Sequence, residues 1–496
     1  VKTIRQFDES LQDTFDIAGF SHYIWNANLS KLLAQRFKSL QPKSVIVFGG
    51  PHFPLSAEDQ EAWLRAIPYV DFFIEKEGEI AFCKLVMALE QQNFDVGIVK
   101  KLKLKSVRSI KGNDFLFSPL EDRILDLDSV SSPYLAGVMD NFLEEGLAPL
   151  VENKRGCPFS CDFCGESSRY YNKVAVHSLN YLQKEYEYLA KKMTFLKNHP
   201  FPGFVFFSDS NTGMYDSDLN LCKFLRRLQE EYGWPKTIGT STGKNSKERV
   251  MKCVKLLNGA LTLTASVQST DPEVLSSINR KNISTEELLS LAHQNGGRSF
   301  SEIILGLPHD SYEKHLKSIK DMMDALINEL RIVQLMILPN TPMANFEYKK
   351  RFQLDTRWRL LCKGFERVQV VGGYRVAIEY EEICVGTENL TFEDYIQCRI
   401  AGLLVSVFYN NIFSVKTMDL FKENNMSIFD AYFYPLIDIK KPKGIRFAID
   451  QYKEELGSEL FNSKEGIERF LEQKDVYENL GNGKIGKNLV YYYSEQ

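Results

Sequence analysis

The 496-residue sequence has no long hydrophobic run and few cysteines, and each shortage argues against a class of protein. Its longest apolar run, at 400–409, is too short to span a bilayer and predicts a buried helix. The nine cysteines are too few and too scattered for a disulfide framework, so we expect a reducing compartment, the cytoplasm. The first ten residues are polar and charged, and they lack the apolar segment of a secretory signal.

An excess of basic residues is also absent. The sequence has 61 Lys and Arg against 65 Asp and Glu, which gives a net charge of −4. A nucleic-acid-binding protein is expected to show a basic excess on at least one domain. We therefore expect no nucleic-acid partner and a small-molecule or peptide substrate.

The first 110 residues alternate short apolar segments with helical ones. The predicted strands are 15–20, 44–50 and 70–76, and the predicted helices are 30–40, 57–67 and 80–90. This alternation predicts a doubly wound, Rossmann-like α/β domain, which binds ligands at the carboxyl ends of its parallel strands. Those ends carry SHYIWN (21–26), GGPHFP (49–54) and EGE (77–79).

After a predicted linker at 111–146, the alternation resumes over 147–345 with six strand–helix units. The predicted strands are 148–153, 203–209, 236–242, 260–266, 300–306 and 331–338. Six such units predict a partial (β/α)6 TIM-like barrel, whose chemistry lies on the loops after the strands. Residues 346–496 are predicted to form a mostly helical C-terminal domain that caps the barrel and selects the substrate.

Three of the nine cysteines lie within eight residues, in NKRGCPFSCDFCGES (153–167). Cys157, Cys161 and Cys164 follow the first predicted barrel strand with Cys-x3-Cys-x2-Cys spacing. A structural zinc ion needs four ligands, but no second cysteine pair exists and His177 lies well past the loop. Zinc and coincidence remain alternatives, whereas three thiolates suit a [4Fe–4S] cluster with one iron left open.

The aromatic Phe163 directly before Cys164 completes Cys-x3-Cys-x-aromatic-Cys, and the barrel over 147–345 resembles the radical S-adenosylmethionine (SAM) superfamily. The resemblance implies that the three cysteines hold a [4Fe–4S] cluster and that SAM chelates its open iron. An electron from a donor such as flavodoxin or ferredoxin would then cleave SAM to a 5′-deoxyadenosyl radical, which takes a hydrogen atom from the substrate.

The resemblance also implies SAM contacts at the ends of the later strands. Arg280 is expected to pair with the SAM carboxylate, and Gly306 to let the backbone approach adenine. In IILGLPHD, His309 replaces the Glu of the family motif, and Glu302 replaces its first Gly. The predicted SAM residues are Phe163, Asp209, Asn211, Ser241, Gln268, Ser269, Arg280, Gly306 and Leu338.

The order of GGPHFP, EKEGEIAF, SSPYLAG and RGCPFSCDFC resembles the cobalamin-binding subclass of this superfamily. The resemblance implies a pocket for the cobalamin tail lined by Ser21, Tyr23, Gly49, Gly50, Pro51, Gly78 and Glu79.

Two features depart from the usual cobalamin domain. No Asp-x-His-x-x-Gly motif supplies a cobalt ligand, so we expect His22 and His52 to be pocket-wall or surface residues. Segment 15–20 resembles the third strand of such a domain. A first strand–helix unit is therefore expected to be missing from this sequence.

The leading function prediction is a cobalamin-dependent methyltransferase that acts on an unactivated carbon or on phosphorus. Tyr374, Glu379 and Glu382 are its catalytic candidates. The alternatives are a rearrangement, ring contraction or cyclisation with the same cofactors, and an iron–sulfur or cobalamin sensing module. A methylthiotransferase would carry three cysteines in the N-terminal domain, which has only Cys83.

Overall fold

The computed structural model describes residues 3–243, 245–264, 266–282, 299–370, 373–410, 413, 415–438, 443–473 and 475–495. Its contacts divide the chain into two compact units. The first contains Val1–Arg123, Met336–Val385 and Glu454–Tyr492, and the second contains Ile124–Leu335, Gly386–Lys453 and Tyr493–Gln496. The predicted domain boundaries at 110, 146 and 345 divide the chain into consecutive segments, whereas each compact unit combines stretches that are separated in sequence.

A five-stranded sheet forms the centre of the first unit, in the order β1 (Ile17–Ser21), β2 (Val45–Gly49), β3 (Phe72–Ile74), β4 (Val107–Lys111) and β5 (Asp114–Leu116). The strands β1, β2 and β3 are parallel, and β4 and β5 pair antiparallel. The helices of this part are Ile4–Ser10, Ala27–Leu40, Ala57–Ala66, Glu79–Gln91 and Val96–Lys101. The predicted doubly wound, Rossmann-like sheet is thereby confirmed.

Strand β2 shows why this sheet reads as an unbroken apolar run. Neighbouring strand residues point to opposite faces, and here both faces are covered by helices. Ile46 and Phe48 pack into one hydrophobic cluster, while Val45 and Val47 pack into another on the opposite face. All four side chains are buried. The aligned carboxyl ends of β1 and β2, where Ser21 faces Gly49, form one edge of this sheet.

The second unit contains β6 (Leu150–Val151), β7 (Lys154–Arg155), β8 (Ala175–Val176), β9 (Phe204–Phe207), β10 (Thr237–Gly239), β11 (Leu263–Thr264), β12 (Ser299–Leu305) and β13 (Glu329–Gln334). Two parallel sheets, β6-β9-β10 and β11-β12-β13, are joined by a parallel bridge between Ile238 and Leu261. Within the described ranges, β6 and β13 do not pair, so the six predicted strands form an open, partial barrel.

Amphipathic helices cover the outer face of this row of strands. Helix Asp216–Tyr232 buries Leu221, Leu225 and Leu228, whose spacing places them on one side. It ends at Gly233, which adopts the left-handed conformation that glycine allows at a helix end. Among the described residues, the other α-helices of the unit are Asp140–Glu144, Leu179–Phe195, Lys247–Leu256, Pro272–Ser277, Tyr312–Asp324, Phe392–Leu404, Val415–Glu423 and Tyr434–Asp438. Helix Lys443–Ser458 runs from this unit into the first.

A long antiparallel hairpin, β14 (Asp355–Val370) and β15 (Gly373–Gly386), adds to the first unit. Val368 and Ala377 on the hairpin pack against Leu32 of helix Ala27–Leu40. The C-terminal region is therefore not only helical, and the hairpin shares a core with the N-terminal domain. The remaining helices are Phe346–Arg351, Lys464–Leu471, Val476–Gly481 and Leu489–Glu495. Among the described helices, none is long and apolar enough to cross a membrane.

His22, which directly follows β1, is fully buried in a cage of rings. Its ring lies 4.9 Å from Trp63, 5.3 Å from His52 and 5.8 Å from Phe48 between centroids. Neither ring nitrogen has a hydrogen-bond partner among the described residues. Burial, together with the nearby Lys31 and His52, lowers the pKa of His22 to about 2. His22 is thus a neutral core residue.

This burial predicts an acid-sensitive contribution to stability. The folded-state pKa of His22 is below its unfolded value of 6.5, so below pH 6.5 the unfolded chain binds a proton that the folded protein does not. The contribution of the neutral, buried ring to the free energy of unfolding is therefore complete above pH 6.5 and is lost as the pH falls toward the folded-state pKa. We expect His22→Phe to gain about 1.4 kcal/mol relative to wild type per pH unit between pH 6 and pH 4. Urea unfolding at several pH values measures this difference, and a pH-independent difference would contradict it.

Candidate cofactor sites

The three clustered cysteines lie on the loop between β7 and β8 in the second unit. Backbone hydrogen bonds shape the loop, from Cys157 N to Tyr171 O at 2.9 Å and from Cys164 N to Cys161 O at 3.0 Å. Cys161 is buried, and the other two are partly buried. All three line one cavity of about 410 Å³. The structure thus brings the predicted cluster ligands together on a shared open space.

A buried ion-pair network lies next to the start of this loop. Lys154 Nζ lies 3.0 Å from an Asp209 carboxylate oxygen and 2.5 Å from one of Asp218. Burial lowers the pKa of Lys154, but the two carboxylates together raise it above its ordinary value. Asp209 also accepts from Asn153 N at 2.9 Å and Asn153 Nδ2 at 3.0 Å. Asp209, a predicted SAM contact, therefore has both carboxylate oxygens bonded to the strand that leads into the cysteines.

Most of the predicted SAM residues line the cysteine cavity, namely Phe163, Asp209, Asn211, Ser241, Gln268 and Arg280. Ser269 is buried beside Ser318 and is not among the lining residues. Gly306 is also outside the lining, whereas Leu338 belongs to the first unit. The SAM contacts of all nine residues stay predictions.

Arg280 is held by neighbours inside this unit. Its Nε donates to Asn282 Oδ1 at 2.9 Å, Nη2 donates to the Ser266 carbonyl, and Nη1 lies 3.9 Å from Cys161 Sγ. Burial lowers the pKa of the guanidinium, and the Cys161 thiol opposes that shift. The structure thus places Arg280 against a predicted cluster ligand, which the resemblance to the family had not suggested.

Gln268 presents an unused acceptor in the cavity. Its Oε1 is buried without a hydrogen-bond partner in the described part of the chain. Its backbone is held by two hydrogen bonds to β12: Gln268 N donates to Glu302 O at 2.8 Å, and Gln268 O accepts from Ile304 N at 2.9 Å. Glu302 also lines the cavity, and its carboxylate accepts from Ser266 Oγ at 3.0 Å. These acceptors fit hydroxyl or amine donors of a bound nucleoside such as SAM.

The loop after β12 contains a carboxylate contact that the sequence motif did not predict. His309, which stands at the position of the Glu of the family motif, pairs with Glu388. The carboxylate that accepts from Gly306 N, at 3.3 Å, is that of the buried Asp310. Gly306 has φ +89°, so glycine is required here and Asp310 fixes its backbone. A carboxylate four residues after the glycine was the available signal.

Thiolates are the usual ligands of an iron–sulfur cluster, and the loop supplies three cysteines. Among the described residues, no three His, Cys, Asp or Glu side chains converge into the ligand set of one metal ion. The thiolates of a [4Fe–4S] cluster bind separate irons, so they need not converge. Burial raises the pKa of the Cys164 thiol to about 11, so binding a cluster would release a proton there.

A second cavity of about 460 Å³ lies in the first unit at the carboxyl ends of β1, β2 and β3. Of the predicted cobalamin residues, Ser21, Tyr23, Gly49, Gly50, Gly78 and Glu79 line it, and Pro51 does not. Gly50 has φ +132°, and a Cβ there would lie 2.6 Å from His22 O, so this loop requires glycine. Gly19 and Gly78 leave open space where a side chain would stand. The groove thus fits a bulky ligand that approaches the backbone.

The three catalytic candidates lie on β15 in the first unit. Glu379 accepts from Asn28 N at 2.9 Å and Leu29 N at 2.8 Å, so it caps helix Ala27–Leu40. Burial raises its pKa to about 7. Glu382 accepts from Lys349 Nζ at 2.6 Å. Tyr374 is exposed and lies beside Arg367. Their catalytic roles stay predictions.

Comparison with known proteins adds curated relatives. The cobalamin-dependent radical SAM methyltransferase TokK of Streptomyces tokunonensis is 31% identical over 354 residues, covering 69% of this chain and 50% of TokK. The 2-(S-pantetheinyl)-carbapenam-3-carboxylate methyltransferase of Streptantibioticus cattleyicolor is 30% identical over 341 residues, covering 66% of this chain and 48% of that enzyme. The chain spans about half the length of these curated relatives.

Two solved structures share the fold. The cobalamin-dependent S-adenosylmethionine radical enzyme OxsB with aqua-cobalamin bound gives a TM-score of 0.58 at 15% identity, over 99% of this chain and 77% of OxsB. The radical S-adenosylmethionine methyltransferase TsrM from Kitasatospora setae, with tryptophan and a SAM analogue, gives 0.55 at 15% identity, over 75% of this chain and 71% of TsrM. At this identity the likeness concerns the fold alone.

A family model for the radical SAM superfamily matches residues 154–323, which include the three cysteines and most of the cavity. This family implies a [4Fe–4S] cluster and SAM as cofactors. The chain therefore contains a radical SAM domain.

Proposed function

We propose that this protein is a cobalamin-dependent radical SAM methyltransferase acting on an unactivated carbon, or on phosphorus, of a small molecule or peptide. The observation that carries the proposal is the cavity lined by Cys157, Cys161, Cys164 and Gln268, whose Oε1 has no hydrogen-bond partner among the described residues. The glycine-lined groove of the first unit supports cobalamin as the further cofactor. Both curated relatives are named as methyltransferases, which favours methyl transfer.

The cluster and SAM supply the radical chemistry in such an enzyme, and cobalamin supplies the methyl group. In this chain the three cysteines would hold the cluster. Gln268 and Glu302 would accept hydrogen bonds from SAM, while Phe163 and Phe206 would exclude water from its apolar parts. Gly49 and Gly50 would let the cobalamin tail approach the carboxyl ends of β1 and β2.

The proposal includes a partner and a compartment. A flavodoxin or ferredoxin would deliver the electron to the cluster, because each reductive cleavage of SAM consumes one electron that an external donor has to replace. The small number of cysteines and their scattered positions suit a reducing compartment such as the cytoplasm.

A rearrangement, ring contraction or cyclisation with the same cofactors is the second candidate. OxsB, a cobalamin-dependent S-adenosylmethionine radical enzyme, shares the fold. The mass of the product separates the two candidates, since methylation adds a CH2 unit.

We expect the reconstituted wild-type protein to convert SAM to two products under anoxic conditions with hydroxocobalamin and a strong reductant. 5′-Deoxyadenosine reports radical formation, and S-adenosylhomocysteine reports methylation of the reduced cobalamin. Liquid chromatography with mass detection measures both. Absence of 5′-deoxyadenosine from protein loaded with iron and sulfide would contradict the radical SAM assignment, and absence of S-adenosylhomocysteine alone would contradict methyl transfer.

We expect Cys161→Ala to lose most of the bound iron and sulfide and the visible absorption of the cluster, because an iron would lose its thiolate. Cys362→Ala is the matched control, since Cys362 is exposed and outside the cavity. Iron and sulfide analysis after anaerobic reconstitution measures both variants. Equal iron in the two variants would refute the assignment of Cys161 as a ligand.

We expect Gly19→Val to weaken cobalamin binding by about tenfold, which is about 1.4 kcal/mol. Gly19 lines the groove on β1, and a Cβ there meets no atom within 4 Å, so the added side chain enters the groove without a clash. Valine suits a strand, so the fold should be kept. Gly457→Val adds the same bulk where a Cβ also meets open space outside the groove. Titration with hydroxocobalamin compares them, and equal affinities would place the corrin elsewhere.

A further inference from the structure

Two side chains in the cysteine cavity direct N–H groups at sulfur. Asn211 Nδ2 lies 3.3 Å from Cys157 Sγ, within hydrogen-bond distance for a sulfur acceptor. Arg280 Nη1 lies 3.9 Å from Cys161 Sγ, a longer contact. The two donors come from different elements, the loop after β9 and the segment after helix Pro272–Ser277. Two of the three predicted ligands, Cys157 and Cys161, therefore face side-chain N–H donors.

Both donors are held in place by the unit itself. Asn211 is 4% exposed and its loop is anchored by Thr212 N, which donates to Ser241 O at 2.9 Å. Arg280 is 5% exposed and donates through Nε to Asn282. Buried groups with fixed geometry keep their hydrogen bonds when a ligand binds, because moving them would leave a polar group without a partner.

A donor at a ligand sulfur changes the redox properties of a cluster. One-electron reduction adds negative charge to the cluster and its thiolates, so an N–H directed at sulfur stabilises the reduced state more than the oxidised state. Hydrogen bonds to the sulfurs are among the factors that set cluster potentials. A buried guanidinium acts in the same direction through its charge, since the surrounding dielectric is low.

We propose that Asn211 and Arg280 are positioning residues that donate to the Cys157 and Cys161 sulfurs and thereby raise the reduction potential of the bound cluster. The proposal rests on the proposed function only in requiring a cluster on the three cysteines. The resemblance to the family instead predicts that Asn211 and Arg280 contact SAM. In this protein, the ease with which the cluster accepts an electron is set before SAM binds.

The test is a potentiometric titration of the reconstituted protein without SAM, followed by the electron paramagnetic resonance signal of the reduced cluster. We expect Asn211→Leu, which keeps the size but removes the donor, to make the midpoint potential more negative. The expected change is about tenfold in the equilibrium constant of reduction, which is about 59 mV for one electron. Ser208→Ala is the matched control, because Ser208 lines the same cavity but bonds to Val151 O.

A second variant tests the other donor. Arg280→Gln keeps an N–H group but removes the charge, and we expect a shift of the same sign. An unchanged midpoint in both loaded variants overturns the proposal, and weaker SAM binding with an unchanged midpoint assigns these residues to SAM instead. A folded Asn211→Leu protein that takes up no iron also overturns it. If wild-type protein binds no iron and sulfide, the proposed function fails rather than this inference alone.

Discussion

The buried contact of Lys154 with Asp209 and Asp218 is the constraint on which the cluster site depends. Lys154 lies on β7, three residues before Cys157, while Asp209 belongs to the loop after β9 and Asp218 to the helix that follows it. Removing one partner of such a buried network leaves an uncompensated charge, at a cost of about 3–5 kcal/mol. The network therefore ties the cysteine loop to the second strand of the barrel.

The same network explains why the loop after β9 serves the cysteines. Asp209 bonds backward to Asn153 and Lys154, and two residues later Asn211 reaches Cys157 Sγ. One short loop thus fixes the strand before the motif and contacts a ligand within it. Groups that hydrogen-bond to the ligands of a metal site orient those ligands and tune the properties of the metal.

Both candidate cavities result from the parallel arrangement of the strands. In each unit the carboxyl ends of the parallel strands lie along one edge of the sheet. The loops that follow lie outside the hydrophobic core, so their residues can bind a ligand. In the first unit these are the glycines after β2 and before helix Glu79–Gln91. In the second they include Gln268, whose Oε1 has no hydrogen-bond partner in the described ranges of the chain. Tightly packed apolar strands therefore present polar or glycine-rich edges.

The sequence alone determined the cysteine motif, the alternation of strands and helices, and the glycines of the groove, because each is a local pattern set by spacing or backbone freedom. Only the tertiary structure decided which side chains meet. Asp310 rather than His309 bonds Gly306, Glu379 caps a helix 350 residues earlier in the chain, and Asn211 and Arg280 face sulfur. These contacts join residues distant in sequence, and their geometry depends on the packing of whole elements, which local periodicity does not encode.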